Sequence, residues 1–411
     1  EANPGVWDQW LRDVEEIVAK NPHQRIFSAA ANDNYATGIC LCEKCRAWDD
    51  PAGEPFVWIY PEDKDDVAGV ALSDRQVTFA NILGRKLKKR FPDKDYKVMI
   101  LAYGYSRPAP IKAIPDDNVL ISNVANCFSD ANAWNGSTKS IEQFDAWSKK
   151  TKNQIWRPNT GDPARWRTGG PPDITGAGDI FKIMAARGIL GISIDQVWMW
   201  WGTQGPQYYL MAQLAWNPER TIDEIMDDYY KSGFGPAAEE VKAYWKLMEN
   251  NRREIQKNET KQGGKSWAEA FSPEFFKEAY SLLDKSAEKA AKAGKEYSGR
   301  VAFVRAGLDY MRLNTENQAL AGRMVKSAEK DPELIKKMRE NWKQIEVLVD
   351  MVKQNRPGVL AKTDQSSGML AYIHPDGDHK AMEAKVLANE ELQKRIKLRF
   401  DRVLRPESGL E

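Results

Sequence analysis

Two carboxylates stand where short apolar runs give way to polar residues. Asp33 follows the run 25–31 (Arg-Ile-Phe-Ser-Ala-Ala-Ala) inside Asn32-Asp33-Asn34, and Asp195 closes the run 188–195 (Gly-Ile-Leu-Gly-Ile-Ser-Ile-Asp). A carboxylate held at the loop-facing end of a rigid strand is placed for general acid/base work, and a pocket around it can raise its pKa. Two such acids on one face are what glycosidic bond cleavage requires; about 5 Å between them implies retention and roughly 6.5 to 9.5 Å inversion. Each has a plain alternative: Asn32-Asp33-Asn34 also reads as a turn, and Asp195 as a cap or a loop hydrogen bond.

Trp198-Met199-Trp200-Trp201 follows Asp195 directly. Sugar rings present apolar faces that stack on aromatics, and a concave aromatic site suits them, although core packing competes for the same indoles. Trp48, Trp58, Trp134, Trp156 and Trp166 also fall in expected loops or loop-side ends. Arg157, Arg165 and Arg167 could pair with a carboxylate or sulfate on a substrate, or simply meet solvent.

A second cluster is made of sulfur. The chain has 4 cysteines, and Cys40, Cys42 and Cys45 fall within one short run, with Cys127 after another expected strand. Four thiolates can hold a structural zinc tetrahedrally. The same residues could form two disulfides, or one disulfide and free thiols, in an oxidising compartment. With only 3 His in the chain, a catalytic thiol lacks a nearby activating base. A serine triad or a His-based metal site is equally short of material.

Composition narrows the classes further. The 411 residues carry 60 Lys+Arg and 59 Asp+Glu, a net charge of +1, which gives no basic field for nucleic acid or an anionic membrane surface. A hydrophobic fraction of 42%, with 15 Trp among the aromatics, is ample for a core. No apolar run reaches the ~18 residues of a membrane span. The chain opens at Glu1 without Met or a leader, the pattern of a mature, processed or truncated form. It closes on Leu410-Glu411, which reads as a cloning scar or a native ending.

These residues need elements to position them. Trp7, Trp10, Leu11, Val14, Ile17 and Val18 give one helical face over 7–20, which Asn21-Pro22 stops. Ser73 is a candidate cap for a helix through Lys89. Apolar runs at 25–31, 97–104, 119–126, 154–157 and 188–195 read as buried strands, with helices at 141–150 and 177–187 between the later ones. That alternation predicts an α/β fold with a parallel sheet wrapped by helices. No Gly-rich phosphate loop follows any strand. Polar and aromatic residues gather instead at the strand ends: Asp33, Tyr103, Tyr105, Asn126, Arg157, Asn159 and Asp195. A barrel carries its site on that face, although eight strands close one and only five are visible.

Beyond Pro206 the pattern is helical, with 207–216, 221–231, 236–257, 273–293, 297–328 and 332–354 as expected helices and a Gly-containing break at 261–265. The expected division is 1–205 for the β/α part, 206–355 for the helical region and 356–411 for an irregular tail.

Several motifs in order carry a resemblance. They are 31–35 (Ala-Asn-Asp-Asn-Tyr) with the cysteine run 40–45, 203–209 (Thr-Gln-Gly-Pro-Gln-Tyr-Tyr), 215–218 (Ala-Trp-Asn-Pro), and Tyr230 with 234–238 (Phe-Gly-Pro-Ala-Ala). Over roughly 1–320 the chain resembles the bacterial family catalogued as domain of unknown function 4838, related to alpha-glucuronidase and hexosaminidase-like glycoside hydrolases. The resemblance implies a (β/α)8 TIM-type barrel entered before its fourth strand, followed by a helical region. Asp33 would end strand four, where related hydrolases keep their acid. Asp195 would end strand eight, where family members often have Glu.

The sequence thus leads to the expectation of a glycoside hydrolase acting on a complex poly- or oligosaccharide, with uronic or sulfated units as candidate components, in the bacterial periplasm or outside the cell. Asp33 is the candidate acid/base, and Asp195 a second carboxylate or substrate anchor. Asn32, Asn34, Tyr103, Tyr105, Asn126, Arg157, Trp198, Trp200 and Trp201 are candidate substrate contacts. Cys40, Cys42, Cys45 and Cys127 are candidate structural zinc ligands, and no organic cofactor is implied. Two other classes stay open: a non-catalytic carbohydrate-binding protein with a barrel cleft, and an interaction scaffold on the charged helices after 260.

Overall fold

A computed structural model describes residues 1–30, 39–58, 67–125, 137–158, 171–194, 201–259, 262–326 and 332–353. The fold is mixed α/β with a parallel sheet. Helix α1 (Pro4–Lys20) precedes strand β1 (Ile26–Ser28); a short helix α2 (Glu43–Arg46), an antiparallel hairpin β2 (Pro55–Trp58) and β3 (Val67–Val70), and helix α3 (Ser73–Arg90) follow. Then come β4 (Lys97–Ala102), β5 (Val119–Asn123), α4 (Ser137–Ser148), β6 (Gln154–Trp156) and α5 (Ile174–Ala185).

The four-stranded sheet has the order β1-β4-β5-β6, and every neighbouring pair is parallel. A fifth segment extends it. Ile192 makes a parallel bridge to Trp156. Leu190 N–H donates to the Gln154 carbonyl at 2.9 Å, Trp156 N–H to Gly191 at 3.0 Å and Ser193 N–H to Trp156 at 2.9 Å. The apolar run from Gly188 therefore pairs as expected, but only briefly. The other strands are also shorter than their apolar runs: β1 ends at Ser28, β4 at Ala102, β5 at Asn123 and β6 at Trp156.

Burial explains the patterns. All of β5 is buried, as a central parallel strand should be. In β4, Val98, Ile100 and Ala102 are buried while Lys97, Met99 and Leu101 are half-covered, so one face meets the more complete layer. That layer is α3, whose Val77, Ala80, Leu83 and Leu87 recur at helical spacing and share a core with Phe27, Val98, Ile121 and Val14 of α1. Each such leucine contributes roughly 2 kcal/mol of burial. Gly84 permits the close approach: a Cβ there would stand 2.7 Å from Asn118 Oδ1, whose amide donates to the Gly84 carbonyl at 2.8 Å. Ser73 does not cap this helix, as its sequence position suggested. Leu72 holds the cap position, and Ser73 Oγ donates instead to the Pro108 carbonyl.

The second half is helical: α6 (Trp201–Trp216), α7 (Ile222–Phe234), α8 (Ala238–Glu259), α9 (Trp267–Ala270), α10 (Pro273–Ala291), α11 (Lys295–Lys326) and α12 (Pro332–Lys353). Thr221 with Glu224 and Ser266 with Glu269 form capping boxes that fix where α7 and α9 start. Val241, Tyr244, Trp245 and Met248 of α8 are all buried, in one core with Trp156 and Phe181 from the sheet side. Helix α6 begins at Trp201, earlier than the 207 start expected from Pro206. Pro206 lies inside it and cannot donate to the Gly202 carbonyl. The neighbouring helix comes close there, since a Cβ on Gly307 of α11 would lie 2.5 Å from the Gly202 carbonyl carbon.

Candidate functional site

In a parallel sheet every carboxyl end lies on the same edge, so the chain leaves that edge at Ala29, Tyr103, Val124, Arg157 and Ile194. Tyr103 and Tyr105 follow β4 through a 3-10 turn at Gly104–Ser106, where Gly104 has φ 56°. A positive φ is a conformation that glycine adopts without strain. Ser106 Oγ ties the turn back to the Leu101 carbonyl at 3.0 Å and to Tyr103 at 2.9 Å. Tyr103 packs beneath the Arg107 guanidinium at 5.7 Å. Tyr105 sets its ring edge on Phe56 of the hairpin at 5.6 Å. Both are half-buried, so part of each ring stays open. The half-buried Arg157 donates its N–H to the Asn123 carbonyl at 2.8 Å, continuing the β6 ladder.

Trp201 opens α6 and is 36% exposed, with its ring 5.1 Å from Tyr208. Tyr208 donates its hydroxyl to Gln204 Oε1 at 2.9 Å, and burial pushes its phenol well above its ordinary range. Two indoles expected at loop ends belong to the core. Trp156 is fully buried and donates Nε1–H to the Ala125 carbonyl at 2.8 Å. Trp58 is 1% exposed, with Gly69 packed on its ring. Trp48 is half-buried and stacks with Trp7 at 6.4 Å. Asn32, Asp33, Asn34, Asn126, Cys127, Trp134, Asn159, Arg165, Trp166, Arg167, Asp195, Trp198 and Trp200 lie outside the described residues.

The structure does bring Cys40, Cys42 and Cys45 together. Their sulfurs all lie within 4.8 Å of one another, and none of the three is in a disulfide. The local fold explains this. Cys42 is extended, with φ −63° and ψ 147°, and precedes α2. Its carbonyl accepts N–H from Cys45 at 3.1 Å and Arg46 at 3.0 Å, which curls the chain so that Cys45 returns beneath Cys42. Cys45 Sγ also accepts the Ala2 N–H at 3.4 Å and the Glu1 amino group at 3.6 Å. The Cys45 N–H, then the Cys40 and Cys45 thiols, hold the Cys42 thiol below its usual range. Cys40 rises despite the Cys42 N–H, because its own donation to Cys42, its loss of water and the neighbouring Cys45 outweigh that bond. Cys45 is buried, whereas Cys40 and Cys42 face solvent. This donor set can bind a metal ion.

Arg75 of α3 anchors the cluster and was not singled out from the sequence. It is 1% exposed. Nε donates to Asp49 Oδ1 at 2.7 Å, Nη2 to Asp49 Oδ2, and Nη1 to the Cys40 carbonyl at 3.0 Å. Its guanidinium lies 5.6 Å from the centre of the Trp58 ring. The one sequence hint is a charged residue near the start of a helix whose next turns are apolar.

Residues 1–246 match the family model described as Domain of unknown function (DUF4838). The chain belongs to this family. The matched DUF4838 region takes in the described parallel sheet, the cysteine cluster, α6, α7 and the first part of α8. No curated protein matches the chain.

Proposed function

We propose that this DUF4838 protein is a glycoside hydrolase that cleaves a complex poly- or oligosaccharide by carboxylate acid/base chemistry, on a (β/α)8 barrel of which the described sheet is one arc. The observation that carries this reading is strand order. Five parallel segments, from β1 to Ile192, neighbour one another in chain order with no reversal among the described residues. A doubly wound sheet reverses its order at a switch point, whereas a barrel does not.

The candidate chemistry lies in the segments that follow the carboxyl ends of those strands, the side on which barrel enzymes build their sites. Asp33 follows β1 and Asp195 follows the Ile192 segment. In this reading Asp33 protonates the leaving glycosidic oxygen, and Asp195 acts as the second carboxylate or anchors the sugar. Tyr103, Tyr105, Trp198, Trp200 and Trp201 offer faces for sugar rings. Arg157 suits a uronic carboxylate or a sulfate. No organic cofactor is called for, and any ion on the cysteines is structural, with zinc the first choice. Such polymers place the protein in the periplasm or outside the cell.

The test is a panel of oligosaccharides, with uronic and sulfated members, incubated with wild type, Asp33→Asn and Asp195→Asn. Turnover by wild type that collapses in Asp33→Asn supports the reading. Sugar binding with no turnover by any of the three proteins overturns it in favour of a binding module.

A further inference from the structure

We propose that Cys40, Cys42 and Cys45 bind one zinc ion as thiolates, and that the buried Arg75–Asp49 pair positions the loop that presents them. This inference is independent of the hydrolase reading.

Distance comes first. Sulfurs in a tetrahedral site with Zn–S of about 2.3 Å stand roughly 3.8 Å apart. The three sulfurs already lie within 4.8 Å of one another, so binding asks each to move by no more than a fraction of the separation. A disulfide would bring two of them to about 2 Å and leave the third unused. The three are free thiols here.

The backbone supplies a second, separate observation. The buried Cys45 sulfur accepts the Ala2 N–H at 3.4 Å and faces the Glu1 amino group at 3.6 Å. A neutral thiol is a weak acceptor, while a thiolate is a strong one, so two N–H donors aimed at the buried Cys45 sulfur suit the charged, metal-bound form. Such outer hydrogen bonds orient metal ligands and spread their charge.

The third observation is the anchor. Arg75 spends Nη1 on the Cys40 carbonyl while Asp49, just past α2, holds Nε and Nη2. The two ends of the cysteine run are thereby fixed to one buried group on α3. Zinc displaces one proton from each thiol as it binds, and the protons pass to solvent. Soft thiolate donors favour zinc over magnesium or calcium, which prefer oxygen. The fourth position is left to water or a further donor.

The experiment uses the full chain, purified under reducing conditions. Bound metal is measured by elemental analysis, and cobalt(II) is then exchanged in as a spectroscopic probe. About one zinc per chain, with intense near-ultraviolet thiolate-to-cobalt bands, is expected. Asp49→Asn keeps the three ligands but loosens their support, so a chelator should strip its zinc roughly 10 to 100 times more readily. Far-ultraviolet circular dichroism of that variant separates weaker binding from misfolding. If wild type carries no zinc, shows no thiolate band with cobalt and reacts at all three thiols with an alkylating reagent regardless of added zinc, the proposal is wrong. Glycan hydrolysis plays no part in this readout.

Discussion

The guanidinium of Arg75 forms a two-bonded pair with the Asp49 carboxylate in a setting where the two side chains are 1% and 9% exposed. An ion pair so buried gains little over a hydrophobic replacement of both partners, but removing one partner strands the other. Arg75→Met is therefore expected to lower unfolding free energy by about 3–5 kcal/mol. Urea denaturation checks this, and a loss under 1 kcal/mol would show that water satisfies Asp49 without the arginine.

Asp74 works in the same helix turn by a different device. Oδ2 accepts the Ile111 N–H at 2.7 Å, and Oδ1 accepts those of Lys112 at 2.8 Å and Ala113 at 2.7 Å. The side chain pins the segment between β4 and β5 to α3. Asp74→Asn keeps one acceptor oxygen and turns an amide donor toward N–H groups. It should cost about 2–3 kcal/mol, the order of a lost hydrogen bond to a charged group. Hydrogen exchange at Ile111, Lys112 and Ala113 should rise well above the global rate. Unchanged protection there would count against the pinning role.

Gly307 tests the contact between α6 and α11. In an open helix Gly→Ala stabilises by about 1 kcal/mol. Here the added methyl meets the Gly202 backbone, which cannot swing aside as a side chain would. Overpacking of this kind typically costs 1–3 kcal/mol, so Gly307→Ala should be net destabilising. A higher melting temperature for this variant would refute the close approach.

Acid stability follows from carboxylates whose pKa is lowered in the fold. Glu224 is lowered by the Thr221 N–H and then its hydroxyl, and Glu269 by the Ser266 hydroxyl and then its N–H. Asp228 is lowered by the Tyr209 and Ser232 hydroxyls. A group with a depressed folded pKa contributes stability that is complete above its unfolded value, about 4, and is lost as pH falls through the folded value. Melting temperature should therefore stay level near neutrality and drop below about pH 4. Thr221→Ala should lower it at pH 7 and narrow its gap to wild type at pH 3. An equal gap at both pH values would contradict the capping-box assignment.

Much of the parallel sheet was legible because buried strands write continuous apolar runs, as 97–104 and 119–126 do. The hairpin β2–β3 was not, since its strands are short and one contains Gly69, which packs on Trp58. Trp156 and Trp58 read as loop-side aromatics because nothing in the local sequence announces that a neighbouring helix or arginine will cover them. The cysteine cluster was visible through spacing alone. Its support was not, because Arg75 and Asp49 are separated in the chain and meet only when the segment after α2 folds against Arg75 of α3. The expected start of α6 differs from the observed one because Pro206 reads as a helix boundary, whereas here it lies inside the helix and removes only its own bond to the Gly202 carbonyl.

Asp33 is the proposed acid/base in sugar cleavage. The most direct measurement is kcat for the best oligosaccharide of the panel, compared between wild type and Asp33→Asn, with the dissociation constant for the same sugar measured in parallel. Loss of a general acid/base predicts a kcat lower by roughly 100- to 10,000-fold with binding little changed. Equal kcat in the two proteins would contradict the account.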